Sequence, residues 1–250
     1  MTAAFLAVEI IAIDGAAIAD TTSHFNVSTP FSTAIWGTMA VSIVIVWAAT
    51  ILVAVLLFRA DLGDAARSFA IRSGLIIAVI GMGLAFLMTS PTAAQLSNFQ
   101  GIAGAHTVGL SDGGPGLPLL GWSTVAGDLR IPHFVGMHAM QVIPLVALLI
   151  ELLGSRLLAL RDARARLGIL VVLAGLYLGI IAVLTVQALS GESIVHPDAA
   201  TSTVSFALFL AAAVGIVVIV RRARTGVGAS SAAAMEPSPA LRSEGGEFTV

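Results

Sequence analysis

The sequence contains no cysteine, which excludes disulfides, thiolate metal sites, iron–sulfur clusters and cysteine nucleophiles in any redox compartment. Lysine is absent too, so all twelve basic residues are arginine, and no basic stripe points to nucleic acid. Charge of either sign is scarce, at 10 % of residues against 58 % hydrophobic, with a mean hydropathy of +1.01. Those values lie outside the range of soluble domains, so the solvent for most of this chain is lipid. No basic residue precedes the apolar stretch at 3–19, and Glu9 and Asp14 interrupt it, so it reads as part of the mature chain and not as a cleaved signal peptide.

Crossing a hydrocarbon core of roughly 30 Å takes about 20 helical residues. Five stretches meet that length, near residues 34–58, 68–89, 132–153, 167–189 and 201–220, and the shorter stretch at 3–19 is read as a sixth span. Lipid obliges each span to satisfy its own backbone, and continuous apolar runs without strict alternation exclude a barrel. The expected fold is therefore all-α: a polytopic transmembrane bundle of five or six helices, with a long folded outer loop at 90–131. The tail at 225–250 is rich in Ala, Ser, Gly, Glu and Pro, has no apolar period, and is expected to be disordered.

Arginine placement sets the expected orientation, because cytoplasmic loops collect it. Arg59, Arg67 and Arg72, then Arg156, Arg161, Arg164 and Arg166, then Arg221, Arg222 and Arg224 all fall on one side if each strong span crosses, and the opposite side keeps only Arg130. The reading is a multi-pass membrane protein with a cytoplasmic C-terminus. Residues 20–33, 90–131 and 190–200 then face outward.

All five histidines, His24, His106, His133, His138 and His196, fall on that outer side. A neutral imidazole ligates metals and its charge switches near neutral pH, which makes His24, His106, His133 and His138 candidate cofactor ligands, with His133 and His138 as a candidate metal pair. On one continuous helix beginning at Pro132, His133, Met137 and Gln141 fall within about 80° of each other, His138 widens the arc to about 140°, and His138 lies roughly 8 Å deeper than His133. Such an intramembrane polar arc must face protein or water, and the competing reading is interhelical hydrogen bonding by His138 and Gln141.

The Gly- and Pro-dense segment HTVGLSDGGPGLPLLGWSTVAGDLR, residues 106–130, requires a tight path over the bundle mouth. Its Asp112, Asp128 and Arg130 either bind a polar ligand or pair with one another, with a fixed salt bridge the expectation for Arg130. Glu9 is buried if residues 3–19 span, and a buried acid needs a partner. Gly175 and Gly179 form a GxxxG that reads as close helix packing.

The strings SHFN, DGGPGLP and HFVGMHAMQ resemble a family of bacterial integral membrane proteins without an assigned role, over roughly residues 5–190 and most specifically over 111–141. The resemblance implies that a Glu-containing helix precedes SHFN, which puts Glu9 in a helix, and that the chain starts late. It implies no reaction.

Several function classes stay open. Thiol-free histidine clusters suit haem or a divalent metal, although the five-residue spacing of His133 and His138 matches neither a helical zinc pair nor a c-type haem site. A small-molecule or ion carrier would use His138, Gln141 and the Pro144 kink, but no inverted repeat is visible. A non-catalytic component would bind the bilayer, a membrane or exported protein partner, or a second copy through the outer loop. A hydrolase built on Ser111 or Ser123 with His106 and Asp112 lacks a G-x-S-x-G elbow.

Overall fold

The computed structural model describes residues 2–235. The chain is an all-α bundle, with elements in the order α1 Thr2–Ile18, α2 Pro30–Arg59, α3 Ala65–Gly83, α4 Ala93–Ser97, α5 Arg130–Met137, α6 Ala139–Leu153, α7 Ala163–Leu189 and α8 Ala199–Met235. Two short strands, β1 Thr107–Val108 and β2 Gly127–Asp128, form the one sheet among these residues. Four helices are long and apolar enough to cross a membrane, and the bent pair α5–α6 makes a fifth. At 17 residues, α1 is about 26 Å long and lies along α2 at the edge of the bundle. Helix α8 continues past Thr225 to Met235, beyond the point where the apolar pattern ends, and the rest of the tail lies outside the described residues.

Local chemistry fixes the helix ends. Thr29 caps α2 by accepting from the Ser32 N–H, with Pro30 in the first turn, where its missing N–H has no partner to lose. Asp64 accepts from the Arg67 N–H at 2.7 Å to cap α3, and Asp162 accepts from the Arg164 N–H at 3.0 Å to cap α7. Asp64 also receives Arg166 at 3.2 Å, while Arg67 reaches Glu151 at 2.8 Å, so one face ties α3 to α6 and α7.

The Arg67 N–H, then Arg166, hold the Asp64 carboxyl below its ordinary 3.8. A depressed carboxylate contributes stability that is full above about pH 3.8 and is lost as pH falls through its folded value. Asp64→Ala is therefore expected to cost about 1 kcal/mol in unfolding titrations at neutral pH. Asp64→Asn should keep the cap and lose the acid sensitivity below that pH.

Helix α3 is central, packing on α2, α5, α6 and α7, with Ala70, Ile77, Ala139, Ile143, Leu170 and Ile181 in the buried core. Outward-facing leucines, isoleucines and valines on α2, α6 and α8 are exposed, as lipid-facing surfaces are. Helices approach most closely where side chains vanish. A Cβ on Gly81 would collide with the Gly136 backbone, and one on Gly74 would meet the Ala139 carbonyl at 2.8 Å. The GxxxG of α7 plays this part at one position alone: Gly175 faces open space, while a Cβ on Gly179 would press on the Leu208 side chain of α8 at 3.1 Å.

The continuous helix expected over 132–153 is broken. Helices α5 and α6 meet at His138 with a 43° bend. Pro144, whose ring crowds the carbonyl of Met140, lies in the first turns after the break. The bend interrupts the regular ladder, and the Tyr177 hydroxyl donates to the Val135 carbonyl at 2.6 Å just before it. Gln141, expected on a polar arc facing protein or water, has an exposed side chain.

Candidate functional site

At the end of the bundle opposite the arginine clusters, three distant segments are stitched together. Residues 25–27 run beside 101–103, with the Val27 N–H donating to Gly101 O at 2.7 Å and the Ala103 N–H to Phe25 O at 2.8 Å. Phe25 adopts φ +60 there with its ring buried. Gly104 at φ +133 is required, because a Cβ would strike both the Met88 carbonyl and the Phe25 ring. Strand β1 then pairs antiparallel with β2, Thr107 opposite Asp128, and Gly127 abuts the Ala188 carbonyl so closely that a Cβ would collide with it. The loop thus folds back onto the end of α7.

This stitching brings His24 and His106 together, 82 residues apart in sequence, with ring centroids 6.0 Å apart. Trp36 lies 5.8 Å from His24, and Phe25 lies 4.8 Å from His106. Ser23 Oγ is 2.9 Å from His24 Nδ1. Burial, then the neighbouring His106, push His24 below its ordinary value, so the ring is neutral at pH 7.

His106 is held from behind. Asp112 accepts from the His106 N–H at 3.0 Å, from the Thr107 N–H at 2.8 Å and from His106 Nδ1 at 2.9 Å. Burial alone would raise the Asp112 pKa, but the His106 side-chain and backbone bonds and those from Thr107 outweigh it and hold the carboxyl well below the usual carboxylate range. An ionised acceptor on Nδ1 fixes the tautomer with Nε2 unprotonated, the form that accepts a proton or ligates a metal.

Asp128 and Arg130 pair with each other. The Asp128 side chain is fully buried and accepts from the Ser123 N–H at 2.8 Å and from Arg130 Nη2 at 2.6 Å, while Nη2 also donates to Gly121 O at 2.6 Å. This clamp closes a hairpin whose strands bridge at Gly116 and Ser123. At its tip Leu119 is fully exposed at φ +67, and Trp122 packs edge-on against Phe134 at 5.5 Å. Between hairpin and sheet lies a cavity of about 180 Å³ lined by His106, Ser111, Asp112, Ser123 and Arg130 among others.

The remaining candidates lie elsewhere. His133 Nδ1 donates to Gly81 O at 2.8 Å at the α3–α5 crossing, and His138 Nδ1 donates to Phe134 O at 2.7 Å at the helix break. Among the described residues no group of three or more His, Asp or Glu side chains converges as a metal cage, so the four histidines do not share one centre. Glu9 sits half-buried on α1, about 14 Å from that helix's end, and does not reach the His24 cluster. Phe25 and Ser23 complete the cluster with no sequence expectation attached to them, and Trp36, whose place near an outer helix end suits an interfacial anchor, packs on His24. The aromatic neighbours of His24 in SHFNVSTPF were the available signal, but pairing with residues 101–106 leaves no local trace. The chain matches no protein-family model, no curated protein and no solved structure, so the chemistry of this face is to be read from its own residues.

Proposed function

We propose that this chain is a multi-pass protein of a bacterial cytoplasmic membrane that binds a divalent transition-metal ion at its outer face through His24 and His106, with Asp112 orienting the second ligand. The observation that carries this is the pair of imidazoles 6.0 Å apart, one backed by a carboxylate. Metal–imidazole bonds of about 2.0–2.1 Å let one ion sit between rings at such a separation. Imidazole donors without thiolate suit Cu(II) or Zn(II). Two protein ligands leave coordination positions open, which favours exchange of the ion or reaction on it over a structural role. Haem fits poorly, because the 180 Å³ cavity beside His106 falls below the about 300–1,000 Å³ of ordinary cofactor pockets.

Calorimetric titration of the detergent-purified, chelator-stripped chain with Cu(II) and with Zn(II) tests the reading. One ion per chain is expected for the metal that binds. His24→Ala and His106→Ala should each abolish binding, Asp112→Asn should weaken it about 10–100-fold, and His138→Ala should leave it intact. Undiminished binding in both His24→Ala and His106→Ala overturns the proposal.

The orientation follows from the arginine asymmetry, with the arginine-rich face and the end of α8 in the cytoplasm. Because the chain lacks cysteine, single substitutions report cleanly. On intact cells an impermeant maleimide should label Ser111→Cys and not Ser155→Cys. The reverse pattern would invert the topology.

A further inference from the structure

At the arginine-rich end, α6 and α8 both pack on α7 and on the 3₁₀ turn Leu158–Arg161, leaving a groove between them of about 730 Å³. Its walls are apolar, from Ile150 on α6, Leu173 on α7, and Ile216 and Val220 on α8. Two cations, Arg156 and Arg224, stand in its lining. Arg67 pairs with Glu151, Arg166 with Asp64, and Arg72 with the Leu57 and Ala60 carbonyls, whereas Arg59, Arg164, Arg221 and Arg222 have no such side-chain partner among the described residues and do not line the groove. The Arg156 and Arg224 side chains make no hydrogen bond or ion pair to another described residue.

We infer that this groove holds one anionic glycerophospholipid of the adjoining leaflet, its phosphate between Arg156 and Arg224 and its acyl chains against α6, α7 and α8. Length supports this occupant. From Ile216 to Arg224 the wall runs about 12 Å along α8, close to the roughly 15 Å depth of one leaflet's hydrocarbon. Charge supports it as well, since a basic pocket between helix ends recognises an anionic headgroup, whereas a purely apolar groove would take any chain. The site is remote from the His24–His106 face and does not depend on metal binding there.

The full chain, purified in detergent, is supplied with phosphatidylglycerol or phosphatidylcholine of matched acyl chains, retained lipid is counted by native mass spectrometry, and thermal unfolding is followed in parallel. One phosphatidylglycerol should be retained and should raise the Tm, with phosphatidylcholine doing neither. Arg156→Ala and Arg224→Ala, both at exposed positions, should each weaken retention by about five-fold. Ile216→Trp should block it by filling the groove. Equal retention of the two lipids, or retention indifferent to both arginine variants, would overturn the inference. So would an equal Tm rise from inorganic phosphate alone, which would mark a free-anion site, or a dimer that Ile216→Trp dissolves, which would make the occupant a second copy of this chain.

Discussion

Gly81→Val is expected to lower the unfolding free energy by about 3 kcal/mol or more, measured by denaturant titration in detergent micelles. At this crossing α3 and α5 meet backbone to backbone, and an added Cβ on Gly81 collides with the Gly136 main chain, where no flexible side chain can move aside. Small residues at such contacts are what let membrane helices approach, because lipid supplies no hydrophobic drive between them. The same step lodges the His133 ring against the Gly81 carbonyl at 2.8 Å, so separating the helices also unseats that histidine. Gly175→Ala is the control: its Cβ would meet nothing within 4 Å, and the change should be close to neutral. If the two substitutions proved equally mild, the close crossing of α3 and α5 would be wrong.

Asp128→Ala is the second large effect, expected to cost about 3 kcal/mol and to loosen the hairpin. The carboxylate is fully buried and accepts from the Ser123 N–H and from both the backbone and guanidinium of Arg130. Removing it strands a half-buried guanidinium and two N–H donors at once. Arg130→Lys should keep only part of the clamp, because an ammonium lacks the planar fork that sets Nε and Nη2 on the two Asp128 oxygens. Limited proteolysis across residues 115–125 and thermal unfolding would read both. Since Asp128 pairs with Thr107, which follows His106, metal affinity should fall in Asp128→Ala although Asp128 touches neither imidazole.

Much of the bundle was legible because membrane spans announce themselves through length and apolarity, and those at 34–58, 167–189 and 201–220 fall inside α2, α7 and α8. The break at His138 was not legible. Pro144 signals a kink, but where a helix yields depends on its neighbours, here the α3 backbone at Gly81 and the hydroxyl of Tyr177. The tightest glycine contact was not legible for a related reason. GxxxG at Gly175 and Gly179 is a local pattern, whereas the close approach pairs glycines 55 positions apart, Gly81 and Gly136, which no spacing rule connects. Histidine chemistry followed the same division. His133 and His138 drew attention by lying near each other in sequence, yet each turns its Nδ1 to a backbone carbonyl. His24 meets His106 only through the backbone pairing of residues 25–27 with 101–103, a contact set by tertiary folding. The Asp128–Arg130 salt bridge, two residues apart, was readable because short separation and a lone outer arginine leave few other partners.

The most direct test of the metal site is electron paramagnetic resonance of the Cu(II)-loaded chain with ¹⁵N-labelled histidine. Hyperfine couplings from two imidazole nitrogens are predicted, lost in His24→Ala and in His106→Ala, which no longer hold the ion, with His133→Ala and His138→Ala unchanged. A spectrum that keeps both nitrogens in the first two variants, or loses them in the last two, would contradict the account.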